Sequence, residues 1–464
     1  MQKRWIILFA FMLIISIMGL FLPGEVDMSF GVELSEDAQL VANVAWLITA
    51  TIFVLMMTPG LSFFYGGMVR EKNVISTMLQ SFVAMGIISV LWVVFGFSMC
   101  FGKSVGGIIG DPSTYFFMQN AGGACSDSNF VSALPIPIAL YALFQMKFAI
   151  ITPSLITGSF AERVRFSGYL FFMIFFFVFI YCPLAHCTWH PDGLFGSLHV
   201  KDFAGGIVVH ASSGVAALAG AIFLGRRQES GSHQPANVPF VLLGAALLWL
   251  GWFGFNAGSS LAADGMAIRA FLNTNTASAV AMITWVVFDC LRGRKPSAMG
   301  SAVGAVVGLV AITPSAGWVS VGESIFISFV TTICCNVAVY YKNKSGRLDD
   351  ALDVFPTHGL GGIIGTLMTG IFVYSHETPE VQAEISHLHY FLNHTMVMVG
   401  VIVYTFVVSY GLYWITNKMI PMRVSKESEK MGLDRSQHDE MYGSEAVVER
   451  ELAEYFEHTT EDKK

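Results

Sequence analysis

Apolar runs of roughly membrane-spanning length recur along nearly the whole of this 464-residue chain, which leaves few folds open to it. Read between charged or turn-rich breaks, they cover residues 41–68, 74–101, 134–160, 167–187, 203–224, 238–257, 268–290, 298–312, 318–341, 355–375 and 395–420. The composition agrees, with 54% hydrophobic and 13% charged residues. The fold class that follows is all-α, a polytopic membrane protein with eleven transmembrane helices.

The breaks alternate in charge. Arg70/Lys72, Arg163/Arg165, Arg226/Arg227, Arg292/Arg294/Lys295 and Lys342/Lys344/Arg347 fall on one side, against only Lys103, Lys201 and Arg269 on the other. The basic side is cytoplasmic by the positive-inside rule, which places the tail from Pro421 inside. The membrane domain then covers 40–420 and a cytoplasmic C-terminal tail 421–464. Residues 1–22 carry Lys3 and Arg4 before an unbroken apolar run, and read either as a signal peptide or as a retained twelfth span. The net charge of -7 gathers in the external loops and the tail, and argues for neither a nucleic acid nor an acidic substrate. Seven cysteines form no metal-ligand pattern.

Two histidines stand out inside apolar, glycine-rich runs, His210 in the fifth span and His358 in the tenth. A strongly polar or charged side chain near the bilayer centre costs roughly 2.5 kcal/mol or more, so such residues usually face a cavity and mark a pathway. Each histidine follows an aspartate, Asp202 or Asp353, and each begins a stripe of small residues on one helical face. The stripes are Ser213, Gly214 and Ala217 in one case, and Gly361, Gly362 and Gly365 in the other. Five spans per half is an odd number, so equivalent halves must be inverted, a five-plus-five repeat with the histidines brought together. The plainer reading is two tightly packed helices with one polar residue each.

Six motifs carry a resemblance: FQMKF at 144–148, AERVRF at 161–166, PLAHCTW at 183–189, DFAGGIVVH at 202–210, GWFGFNAGS at 251–259 and DVFPTHG at 353–359. In order and spacing they resemble the signatures of ammonium transporters of the Amt branch of the Amt/Rh family, over about residues 40–440. The resemblance implies ammonium or ammonia uptake across the plasma (inner) membrane by a homotrimer with one narrow pore per subunit. It puts Trp189, Phe144, Phe148 and Ser259 in an external substrate-binding vestibule, with Asp202 supporting recruitment without touching the ion. Phe148 and Phe255 form the gate, and His210 and His358 line the pore with Trp252 beside them. It also implies a PII-class regulatory protein at the cytoplasmic face, where 432–434 and His438 resemble a docking segment; residues 444–458 read as a short amphipathic helix.

The residue types fit that chemistry. A desolvated cation gains about 2 kcal/mol or more over aromatic faces, and a hydroxyl such as Ser259 accepts a hydrogen bond from it. Stripping a small ion of water costs on the order of 20 kcal/mol at low dielectric; neutral ammonia pays far less, so an apolar pore with neutral imidazoles favours deprotonation at its entrance. Each role has a blander counterpart: Trp189 as an interfacial aromatic, Phe144 and Phe148 as a packed pair, Asp202 as a helix cap. In its recruiting role Asp202 is expected to be buried, ionised and satisfied by backbone N–H groups or hydroxyls, biasing the vestibule towards cations, so that Asp202→Asn weakens recruitment and leaves the protein folded. His186 and His190 lack a third ligand, and no metal, cofactor or nucleic acid is expected. Lys147, inside the third span, departs from the family pattern and is expected to snorkel away from the pore. It also motivates the alternative, an ammonium sensor or receptor of the same fold that conducts weakly. No catalytic motif points to an enzyme.

Overall fold

A computed structural model of the chain describes residues 38–121, 134–229 and 234–443, together with Ala10, Ile14, Ile17 and Met18. The choice between signal peptide and twelfth span for 1–22, and the helix expected over 444–458, lie outside the described residues. The protein is mostly helical and multi-pass, and among the described residues nine helical segments are long and apolar enough to cross a membrane. They are α1 (Ala38–Met68), α2 (Glu71–Phe101), α3 (Ile138–Ile156), α4 (Phe166–Trp189), α5 (Gly206–Leu224), α6 (Val238–Ser260), α7 (Gly265–Leu291), α9 (Val321–Ser345) and α11 (His387–Met419). Two shorter helices pack among them, α8 (Ala298–Ile312) and α10, which opens as a π turn (Phe355–Gly359) and continues as Leu360–Phe372.

Helix boundaries move from the hydropathy reading where caps and prolines decide them. The apolar stretch at 134–137 stays outside the helix because Pro135 and Pro137 push the residues before them, Leu134 and Ile136, out of the helical region, and α3 starts at Ile138. Ser386 caps α11 through the backbone N–H of His389, so that helix begins at His387 in a polar turn that hydropathy passes over. Ser320 and Glu323 form a reciprocal capping box at the start of α9.

The small-residue stripes are where α5 and α10 cross. A Cβ on Gly214 would lie 2.1 Å from Cα of Gly359, and one on Gly362 would lie 2.8 Å from both the Ala211 nitrogen and the His210 Cβ. Only glycine permits that approach, and the contact is reciprocal: each stripe meets the histidine turn of the other helix.

The two ends of the bundle differ. At one end, Arg227 joins Glu162 (2.6 Å) and Asp349 (2.8 Å), Arg70 pairs with the same Glu162, and the Arg163 guanidinium donates to the Asp349 carbonyl (2.6 Å). Burial alone would raise the Asp349 carboxyl; hydrogen bonds and charge from Arg227, with the charge of Arg163, reverse this and hold its pKa at about 2. The tail docks on this end through α12 (Lys426–Met431) and α13 (Leu433–His438). Asp434 accepts from the Ser76 and Ile75 backbone N–H groups (2.7 and 3.0 Å) at the start of α2, and Gln437 accepts from that of Phe166 (2.8 Å). Burial raises the Asp434 carboxyl to about 6 despite those donors. The opposite end carries a two-stranded hairpin, Ser104–Val105 with Ile109–Gly110, and the segments before α5 and between α10 and α11.

Candidate functional site

The site is strung along one line from the hairpin end towards the bundle centre, and Asp202 organises its top. Asp202 is 5% exposed, and its carboxylate accepts the backbone N–H groups of Gly205 (2.8 Å), Gly206 (2.7 Å), Ile207 (2.7 Å) and Val208 (3.4 Å). Those are the orphan donors of the α5 terminus, and Gly205, at φ +116°, makes the turn that aims them at one carboxylate. Burial raises the Asp202 pKa, with the four N–H groups acting against it. Its main-chain carbonyl accepts from Trp189 Nε1 at 3.0 Å, which fixes the indole.

Beside this turn is a cavity of about 160 Å³ walled by Phe148, Trp189, Ser259, Phe203, Tyr141, Gln145, Leu134 and Leu261. Ser259 Oγ donates to the Phe255 carbonyl (2.8 Å), so its oxygen keeps lone pairs to accept a donor from within the cavity. Of the expected vestibule residues, Trp189, Phe148 and Ser259 meet here. Phe144 does not line the cavity: it is fully buried behind Phe148, edge-on at 5.0 Å between centroids. Leu134, Tyr141, Gln145, Phe203 and Leu261 join them without a sequence expectation, although Gln145 stands inside the FQMKF motif and Phe203 inside DFAGGIVVH.

Under the cavity, Phe148 and Phe255 stack with centroids 4.2 Å apart and planes 25° apart, which closes the line to anything larger than a rotating ring would admit. Beneath that pair an apolar void of about 10 Å³, near the volume of one water centre, is bounded by His210, His358, Trp252, Phe255, Leu61 and neighbouring aliphatic side chains. Both histidines are buried and belong to π turns, Gly206–Ala211 and Phe355–Gly359, an irregularity frequent at functional sites. Their Nδ1 atoms are 3.3 Å apart and their rings 5.4 Å apart at 22°. Trp252 stacks on His210 (5.2 Å, 15°) and is fixed by its Nε1 bond to Thr313 (2.8 Å). One proton serves the Nδ1–Nδ1 contact. Two would set N–H against N–H, so at least one ring is neutral in this geometry. Among the described residues His210 Nε2, which is buried, has no hydrogen-bond partner, and its ring borders the apolar void as a donor or acceptor.

The aspartate before the second histidine is not the one expected. Asp350, fully buried, accepts the backbone N–H groups of Val354 (3.1 Å) and Phe355 (2.8 Å) and so plays the part of Asp202, whereas Asp353 pairs with Lys342 at 2.6 Å. The spacing to the histidine was the missed signal, since Asp202 to His210 and Asp350 to His358 are the same interval.

Lys147 lines neither cavity. It is half-buried on the same face of α3 as the exposed Leu143, and its Nζ lies 3.6 Å from Met146 Sδ. His186 spends both ring nitrogens on the Cys100 carbonyl (2.9 Å) and Ser104 Oγ (2.8 Å) and stacks on His190 at 4.3 Å. Among the described residues no group of three or more His, Cys, Asp or Glu side chains is placed to hold a metal ion.

The Ammonium Transporter Family profile matches residues 45–442. The ammonium transporter of Bacillus subtilis is 39% identical over 414 residues, covering 86% of this chain and 97% of its own. Ammonium transporter Amt1 of Archaeoglobus fulgidus is 38% identical over 405 residues, covering 86% and 98%. Among solved structures, that of Candida albicans Mep2 is similar with a TM-score of 0.77 at 32% identity, covering 86% of this chain and 89% of that one. A structure described as "Sensor Amt Protein" has a TM-score of 0.79 at 31% identity, covering 87% and 100%.

Proposed function

The chain belongs to the ammonium transporter family, and from that premise we propose that it takes up ammonium or ammonia across the plasma membrane. The observation that carries the reading is the buried His210–His358 pair, Nδ1 to Nδ1 at 3.3 Å, set in an apolar void directly under the stacked Phe148 and Phe255. Trp189, Phe148 and Ser259 form the recruitment vestibule, with Phe144 backing Phe148 and Asp202 holding the turn that places Trp189. There the cation gains the attraction of aromatic faces and one hydroxyl acceptor. Phe148 and Phe255 gate the descent. In the void below, an ion meets no carboxylate and too few acceptors to replace its shell of water, so ammonia passes His210, His358 and Trp252 and the proton is left to the imidazoles.

The same reading gives eleven spans, with α8 and α10 completing the nine, and inverted halves α1–α5 and α6–α10. The matched π turns, the equal Asp-to-His spacing and the reciprocal glycine crossing support the repeat. The end that carries Arg70, Arg163, Arg227 and the docked tail faces the cytoplasm. A homotrimer, and a PII-class regulator meeting the tail face, are part of the proposal by family likeness.

The likeness to the sensor structure favours a second reading, in which ammonium binds but scarcely crosses. Uptake of radiolabelled methylammonium into proteoliposomes, set beside ammonium binding to the same preparation, separates the two: transport predicts saturable flux that ammonium competes away. Lys147 bears on the same choice. Because its side chain points away from both cavities, Lys147→Met should leave uptake within about two-fold of the original, the effect of removing a snorkelling cation rather than a pore charge. A large gain in flux would show that Lys147 restrains conduction and would promote the sensor reading.

A further inference from the structure

A lysine stands one aromatic ring behind the wall of the vestibule. Lys201 directly precedes Asp202, and its ammonium group lies 5.3 Å over Trp318, whose ring meets the vestibule wall residue Phe203 edge-on at 5.0 Å. Left alone, that charge would add a repulsion towards the substrate, which its partial exposure to water reduces without removing. It is not alone. Glu377, between α10 and α11, brings Oε1 to 3.3 Å from Lys201 Nζ, and the same oxygen accepts from Tyr390 OH at 2.9 Å. The Glu377 side chain is 8% exposed against 38% for Lys201, so the acid is the anchored partner. The Lys201 main chain is held too, its N–H donating to His394 Nε2 at 3.0 Å. Beyond its bond to Tyr390, the carboxylate carries a negative charge from a segment distant in the chain to the one cation behind Phe203 and Trp318 in this contact chain.

We propose that Glu377 is a positioning residue of the recruitment vestibule, cancelling the charge of Lys201 so that the field at the mouth stays favourable to ammonium. The inference rests on the proposed recruitment of ammonium at this face. Glu377→Gln removes the charge and keeps an oxygen to accept from Tyr390. Lys201→Met keeps the stem over Trp318 and removes the cation.

The test compares methylammonium uptake by the original chain, Glu377→Gln, Lys201→Met and the double variant in proteoliposomes. Glu377→Gln should raise KM about three- to ten-fold with Vmax within two-fold, the scale of one uncompensated charge near a partly exposed site. The double variant should return KM to within about two-fold of the original, and about 0.5 M choline chloride, where the Debye length is near 4 Å, should shrink the Glu377→Gln effect. A structural role predicts instead that the double variant is at least as impaired as the single. An unchanged KM in Glu377→Gln, or a double variant no better than it, would overturn the proposal and leave transport standing. Absence of saturable uptake by the original chain would overturn the transport reading instead. The four proteins are then ranked by quenching of tryptophan fluorescence on ammonium titration, where the same order supports the inference and equal affinities reject it.

Discussion

Asp202→Asn should yield far less assembled protein, and what does assemble should unfold at markedly lower temperature than the original chain. The carboxylate accepts four backbone N–H groups at the mouth of α5, two through each oxygen. An amide keeps one accepting oxygen and turns an NH2 group on the other pair, so two buried donors lose their partner and face another donor. Each buried donor left unsatisfied costs about 1–3 kcal/mol, and the turn they belong to carries both the Trp189 anchor and the π turn of His210. This revises the expectation that Asp202→Asn would weaken cation recruitment while leaving the protein folded. A well-expressed Asn variant of unchanged thermal stability, whose only defect is weaker ammonium binding, would restore that expectation.

His210→Ala and His358→Ala should act in the opposite way, on flux far more than on assembly. Each substitution removes one partner of the Nδ1–Nδ1 contact and opens the apolar void between Phe255 and Trp252. The surviving ring loses one hydrogen bond, on the order of 1–3 kcal/mol, in a bundle whose α5–α10 crossing is made by backbone packing at Gly214, Gly359 and Gly362 rather than by the rings. Uptake should fall about ten-fold or more, equivalent to roughly 1.4 kcal/mol in the barrier, because the surviving imidazole has no second ring to share a proton with and, apart from Trp252, the rest of the void is lined by apolar side chains. Uptake in membranes, normalised to assembled protein, is the readout. Loss of assembled protein in both variants, with normal flux per remaining molecule, would mean that the histidines only pack.

Much of this was legible in the sequence, and the failures have physical causes. Long apolar runs located the helices because hydropathy integrates over many residues, but it missed the polar first turn of α11 at His387 and took the proline-bound 134–137 for helix. The histidine pair was legible because ionisable residues in apolar runs are rare and the small-residue stripes beside them have one good use. Asp350 was hidden by the nearer Asp353, whose carboxylate turns to Lys342. Phe144 and Phe148 share a helical face, yet only tertiary packing decides which ring faces the cavity and which stands behind it. The Lys201–Glu377 pair joins segments far apart in the chain, and nothing local to either residue announces the other.

The proposed route takes ammonium gathered at the vestibule past the histidine pair. Its most direct test is radiolabelled methylammonium uptake into proteoliposomes by the original chain and by the His210→Ala/His358→Ala double variant, with ammonium binding followed in both. Saturable, ammonium-competed flux is expected in the original, and ammonium binding with little flux in the double variant. Tight binding by the original chain with no flux above empty liposomes, or equal flux in the two, would contradict it.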